Sequence, residues 1–285
     1  MIEVDFIEEL DRFHLALKKN STEIREGEQQ SHSTGQGMIF EDHKKYIPGD
    51  DIRRMDWKAY ARTGDLFVKR FEEEKSITLH VLVDRSSSMD FGNVNKYDYA
   101  AKLGLAAAHM VSHTNDRFRY AVFSETVTDI SHARRKANLG DMVETLNSLR
   151  KTPESLIERC VTEYSKRIEN ESAVIIISDF LVDVEKVEEA VKRLKGSDVI
   201  LVNTLSGEEL DPDMRGEKIL MDPESDSRLR TYLSRKTRDE YREELEQHTD
   251  ALEEVAEKYG ANYIKVSTED EFFDSFLKVW KLLND

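Results

Sequence analysis

The chain has 285 residues, 58 of them acidic and 42 basic, and a formal net charge of −16 at pH 7. That length suits one large domain, or a domain with a small attachment, and gives a core that needs no staples. The acidic excess argues against nonspecific nucleic-acid binding, which needs a cationic surface. The one cysteine, Cys160, excludes an intrachain disulfide, a Cys-rich zinc site and an iron–sulfur cluster.

No apolar run approaches the roughly 20 residues that span a bilayer. The start, Met1-Ile2-Glu3-Val4-Asp5, lacks the basic flank and apolar stretch of a signal peptide, so a cytoplasmic location is expected. Phe6, Leu10, Phe13 and Leu17 recur at helical spacing and predict an amphipathic helix over 5–19. Its end at Lys18-Lys19 suits the negative pole of the helix dipole. The polar stretch 20–37 reads as a loop. Short strands follow at 38–40 and 66–71, with an acidic turn at Gly49-Asp50-Asp51 between them.

From Ser76 the texture changes. An apolar, β-branched strand over 77–83 precedes a helix over 96–113, a strand over 118–123 and two helical stretches within 138–168. Then come a strand at 173–178, a helix at 184–194, a strand at 199–205, a long charged helix at 236–258, a strand at 262–266 and a helix at 270–283. Largely apolar strands alternating with helices predict a doubly wound α/β domain with a mostly parallel sheet. One insertion, 218–221 and 228–233 around Asp222-Pro223-Glu224-Ser225-Asp226, reads as a β-hairpin. The expected organisation is an N-terminal α+β extension over 1–75 and the α/β domain over 76–285.

Ligands in open α/β sheets gather at the carboxyl ends of the strands. The first strand of the domain runs into Asp84-Arg85-Ser86-Ser87-Ser88-Met89, whose alternating Asp84, Ser86 and Ser88 can turn three oxygens inward. The strand at 173–178 ends on Asp179, and Thr152 precedes a predicted helix. Hydroxyls and carboxylates from three separate loops form an oxygen-only donor set, which suits Mg²⁺ or Mn²⁺. Each part also has a plainer reading: Asp179 as a helix cap, and Thr152-Pro153-Glu154 as an N-cap followed by proline at the first helical position.

On these residues the chain resembles two known patterns. Asp84-x-Ser86-x-Ser88, Thr152 and Asp179 look like the metal-ion-dependent adhesion site of von Willebrand factor A domains. The block from Tyr46-Ile47-Pro48-Gly49-Asp50-Asp51-Ile52-Arg53-Arg54-Met55-Asp56-Trp57 to Thr63, with Phe71-Glu72-Glu73-Glu74 and the hairpin, is similar to the DUF58 family from about residue 24 onward. The resemblance implies direct ligation by Ser86 and Ser88, Asp84 and Asp179 mostly behind water, and Thr152 direct or water-bridged. Arg150-Lys151 stand where many such domains carry glycines. It also implies an adaptor for a MoxR-type AAA+ ATPase in protein remodelling or complex assembly, binding a partner's Glu or Asp carboxylate at the open position of the ion.

In the upstream block, Asp50, Asp51 and Asp56 alternate with Arg53, Arg54, Lys58 and Arg62, a spacing that allows an internal salt-bridge network. Trp57 and Tyr60 offer apolar bodies with polar tips for packing. The segment is expected to pin the N-terminal lobe onto the sheet, with a partner-docking surface as the alternative. His109 and His113 sit at i, i+4, a spacing that can hold zinc, but His-Met-Val-Ser-His lacks the glutamate of the metalloprotease motif. Cys160 reads as buried filler. There is no phosphate-binding Gly-x-x-x-x-Gly-Lys-Ser/Thr loop and no Gly-x-Ser-x-Gly elbow. The reading is a non-enzymatic, metal-dependent protein-binding module. Two alternatives stand beside it: a metal-dependent hydrolase of phosphate esters, which would need a lysine and a further acid near Asp179, and a structural protein with a vestigial site.

Overall fold

The computed structural model describes residues 1–3, 5–25, 38–73, 77–114, 116–134, 138–149, 154–169, 172–212, 216–221, 228–233 and 235–283. The chain divides into two compact units, Lys19–Ser76 and Met1–Lys18 with Ile77–Asp285. Helix α1 (Asp5–Arg25) starts as its apolar spacing dictates but runs past Lys19 into the stretch read as loop. Its beginning groups with the larger unit and not with an extension over 1–75, because its apolar stripe finds partners there. Ile2, Phe6 and Leu10 are buried, Phe6 meets Phe272 edge to face at 5.2 Å, and Phe13 stacks on Phe273 at 4.7 Å.

In the smaller unit, β1 (Met38–Lys45) and β2 (Phe67–Glu73) pair antiparallel, with a register shift between Phe40 and Asp42. Between them lie a 3-10 turn (Ile52–Arg54) and α2 (Trp57–Thr63), a helix too short to announce itself by periodicity. Asp56 caps α2, its Oδ1 accepting from the Lys58 and Ala59 N–H groups at 2.9 and 3.0 Å, and Gly64 ends it at φ 73°. The Ala59 N–H and the His43 ring hold the Asp56 carboxyl down at about 2. The internal network expected of the block is corrected. Asp51 caps the 3-10 turn, Asp50 pairs with Lys44 at 3.1 Å, and Asp56 pairs with His43 at 2.7 Å and Lys69 at 3.9 Å. Capping and the two flanking strands take these carboxylates. Trp57 and Tyr60 are 60% and 44% exposed.

The larger unit continues with β3 (Thr78–Asp84), a 3-10 turn (Ser87–Met89), α3 (Lys96–Ser112), β4 (Arg117–Phe123), β5 (Val127–Arg134), α4 (Leu139–Ser148) and α5 (Ile157–Ser165). After these come β6 (Ser172–Ser178), α6 (Val184–Arg193), β7 (Asp198–Leu205), α7 (Gly207–Leu210), β8 (Gly216–Met221), β9 (Arg228–Leu233), α8 (Arg235–Tyr259), β10 (Asn262–Ser267) and α9 (Phe272–Leu282). The sheet order is β10-β7-β6-β3-β4-β5, parallel throughout except that β5 runs antiparallel to β4. The expected doubly wound α/β fold is therefore present, with an edge strand, β5, that sequence reading passed over. β8 and β9 form the expected antiparallel hairpin, and its Asp222–Asp226 turn lies outside the described residues.

Strand alternation explains the two covered faces. Val81, Val83, Ile175, Ile177 and Val202 join the core under α1, α3, α4 and α9, while Leu82, Val174, Ile176 and Leu201 join the core under α5, α6 and α8. Burial of each such side chain contributes roughly 1.5–3 kcal/mol. Helix α3 lies close on the sheet at Gly104, where a Cβ would sit 2.7 Å from Val81 Cγ1 and 2.8 Å from Tyr120 Cε2. Cys160 is buried as expected, its thiol donating to the Ser124 carbonyl at 3.3 Å.

Where α1 meets α3, the rings of His14, His109 and His113 gather beside Asp11. Burial first, and then the neighbouring His113, hold the His109 imidazole down at about 4, so it is neutral at pH 7. No described helix is long and apolar enough to cross a membrane.

Candidate functional site

From β3 the chain moves outward through β4 to β5, then crosses back to β6 on the other side of β3. The switch point of the sheet thus falls between β3 and β6, with Asp84 the last residue of β3 and Asp179 the first after β6. Asp84 is fully buried. Its Oδ1 accepts from the Ser86 N–H at 2.8 Å, and its Oδ2 accepts from the Ser155 and Ser178 hydroxyls, each at 2.8 Å. One carboxylate therefore ties together the loop after β3, the segment before α5 and the end of β6.

The Ser86 and Ser88 hydroxyl oxygens lie 3.1 Å apart, with Ser86 buried and Ser88 partly open. Thr152, with Arg150 and Lys151, lies outside the described residues. Helix α5 starts at Ile157 with Leu156 in the capping position. Among the described residues of this segment, Ser155 reaches Asp84. Burial, and next the nearby Asp179, push the Asp84 carboxyl up to about 6 against the pull of its three hydrogen bonds.

Asp179 does not cap the following helix, since α6 begins after Asp183. Its Oδ1 accepts from the Leu181 N–H at 3.2 Å. The next residue, Phe180, is buried with φ 49°, a left-handed backbone that a bulky side chain adopts at a cost. Its N–H donates to Ser178 Oγ at 3.0 Å, and its carbonyl accepts from His248 Nε2 at 2.8 Å. These partners hold the turn that presents Asp179.

Asp179 Oδ2 also accepts from Lys96 Nζ at 2.8 Å, and the same ammonium donates to Glu209 Oε1 at 2.5 Å. Lys96 is fully buried at the start of α3. Glu209 belongs to the capping box of α7, its Oε2 accepting from the Ser206 N–H at 2.8 Å. The loop between Met89 and α3 is latched to the same turn. The Asn93 N–H donates to Glu208 Oε1 at 3.1 Å, and at Gly92 (φ 92°) a Cβ would lie 2.8 Å from Ser206 Cβ.

Of the residues singled out in the sequence, the structure places Asp84, Ser86, Ser88 and Asp179 at these strand ends. Beside them it brings Ser155, Ser178, Lys96 and Glu209, which the sequence did not single out. The two serines carry no signal. Lys96 does carry one, because a cation at the positive pole of a helix is unfavourable unless a buried acid holds it. The donor set is entirely oxygen, and the serine oxygens stand nearly as far apart as neighbouring ligands on octahedral Mg²⁺, about 2.9 Å. The described residues of the site therefore fit a hard divalent cation.

A doubly wound sheet with one antiparallel edge strand and an Asp-x-Ser-x-Ser loop at its switch point defines an α/β protein with an oxygen-lined site at its strand ends. The chain belongs to the family described as protein of unknown function DUF58, whose model matches residues 42–251. It is 21% identical over 276 residues to Rv1480 of Mycobacterium tuberculosis (strain H37Rv), covering 94% of this chain and 87% of that protein. Among solved structures, BatB of Bacteroides thetaiotaomicron aligns at 14% identity with a TM-score of 0.44, covering 74% of this chain and 100% of its own. Proximal thread matrix protein 1 from the mussel byssus, with a zinc-occupied MIDAS motif, aligns at 12% identity with a TM-score of 0.43, covering 73% of this chain and 47% of its own.

Proposed function

We propose that this chain is a non-enzymatic protein-binding module whose contact is completed by a divalent cation, Mg²⁺ or Mn²⁺. The observation that carries the reading is the hydroxyl pair of Ser86 and Ser88, 3.1 Å apart beside a buried Asp84 that gathers three stretches of chain. Ser86 and Ser88 would hold the ion directly. Asp84, whose oxygens are engaged by three protein donors, and Asp179, whose oxygens meet Leu181 and Lys96, would act through water, with Thr152 as a further ligand. The ion supplies a Lewis-acidic position for a partner's Glu or Asp carboxylate. Such a bond gives an acidic protein a directional contact with an acidic group that it would otherwise repel.

The family resemblance names the partner class as a MoxR-type AAA+ ATPase or its client, in the cytoplasm. The test is capture of such an ATPase by the full chain, with Mg²⁺ and with chelator, for wild type and for Ser86→Ala/Ser88→Ala. Capture that needs both the metal and the two hydroxyls supports the module. Capture indifferent to both overturns it.

One observation favours the hydrolase of phosphate esters: the lysine and further acid that such chemistry needs near Asp179 are there, as Lys96 and Glu209. Access speaks against it. Lys96 and Asp84 are both fully buried, the ammonium is engaged by two carboxylates, and Asp84 is held by three donors, so neither side chain is open to a phosphate ester.

A further inference from the structure

We propose a second metal site, for Zn²⁺, built from Asp11 of α1 with His109 and His113 of α3. His109 and His113 stand one turn apart on α3, so that helix offers two donors from one face, and Asp11 of α1 offers the third. The ligating atoms of Asp11, His109 and His113 all lie within 4.8 Å of one another. His109 Nε2 is 3.3 Å from Asp11 Oδ1, the separation of two neighbouring ligands on a tetrahedral zinc ion, about 3.3 Å. The His14 ring, its centre 4.4 Å from that of His113, packs beside the three ligands, and the fourth position is left to solvent.

Two observations point to a ligand and not to packing alone. His109 is 2% exposed, and neither of its ring nitrogens has a hydrogen-bond partner. His14 Nδ1 is likewise buried without one. Buried polar atoms of this kind are costly unless something satisfies them, and an ion between Asp11 and His109 would satisfy the His109 Nε2 that faces it. His113 is also oriented as zinc-binding histidines are. Its Nδ1–H donates to the His109 carbonyl at 2.9 Å, which leaves Nε2 with a free lone pair.

Two imidazoles and one carboxylate form a donor set that suits zinc and differs in kind from the oxygen-only set at the strand ends. Three protein ligands from two helices leave one position of the ion to solvent, and the ion would fasten α1 to α3.

The test is a titration of the full chain with Zn²⁺, and with Co²⁺ as a spectroscopic probe, in the Ser86→Ala/Ser88→Ala background that removes the oxygen site. The expected result is one equivalent of tightly bound zinc and the intense visible absorption of four-coordinate cobalt. His113→Ala and Asp11→Asn, both at exposed positions, should each weaken zinc binding about 10-fold or more while the metal-free chain melts as before. Absence of stoichiometric zinc, a weak six-coordinate cobalt spectrum, or affinity unchanged in both variants would overturn the site.

Discussion

Lys96 donates to Asp179 at 2.8 Å, and the two side chains are 0% and 3% exposed. This ammonium keeps the acids at the strand ends from standing unpaired, since it also meets Glu209. Lys96→Met should lower stability by about 3–5 kcal/mol, because two largely buried carboxylates lose their counter-ion. Added Mg²⁺ should recover part of that loss. Denaturant unfolding of the variant with and without the metal reads both effects.

The serine pair separates binding from folding. Ser86→Ala/Ser88→Ala removes one hydroxyl–hydroxyl contact and should change stability by no more than about 1–2 kcal/mol. Calorimetric titration with Mg²⁺ or Mn²⁺ should lose its heat in the same variant. An unchanged isotherm would remove both hydroxyls from the ligand set.

His80 makes a pH prediction. It is buried in β3, its Nδ1 lies 3.1 Å from the Tyr164 hydroxyl, and burial holds its imidazole down at about 4. An imidazole depressed below its unfolded value of about 6.5 stabilises the fold above that pH. The contribution is lost as pH falls toward 4, where the unfolded chain binds a proton that the native one refuses. The loss from this residue should be about 3 kcal/mol over that window. Comparison of the pH slope of unfolding free energy in wild type and His80→Leu checks it, whatever the difference in absolute stability.

Gly104 tests how closely α3 rests on the sheet. Gly104→Val places side-chain atoms against Val81 and Tyr120 and should lower stability by about 1–3 kcal/mol through overpacking, despite valine's better helix propensity than glycine's. Thermal melting of the variant decides it. Equal or higher stability would mean that the helix can lift without cost.

Much of this was legible because the central strands are buried on both faces and so read as unbroken β-branched runs, as Ala173 to Ile177 does. β5 was hidden because it is an edge strand with Thr128, Asp129 and Ser131 in its ladder, a composition that resembles loop. α2 was hidden by its length, although Asp56 before it and Gly64 after it are the cap residues that a helix search looks for. Asp84, Ser86, Ser88 and Asp179 stood out because they lie at or just after strand ends, where position alone singles them out. Lys96 and Glu209 are joined only by the folded chain, 113 residues apart. The same holds for His14 and His109: the sequence showed the pair on α3, but nothing in it showed which helix would lie opposite.

Helix α3 carries Lys96 on its first turn and His109 near its last, roughly 20 Å further along at 1.5 Å per residue, with Gly104 seated on the sheet between them. One rigid element is therefore fixed by a buried ion pair at its first turn, by close packing on the sheet at its middle, and by a buried imidazole facing α1 near its last. The strand-end acids and the amino-terminal helix thus share a single support.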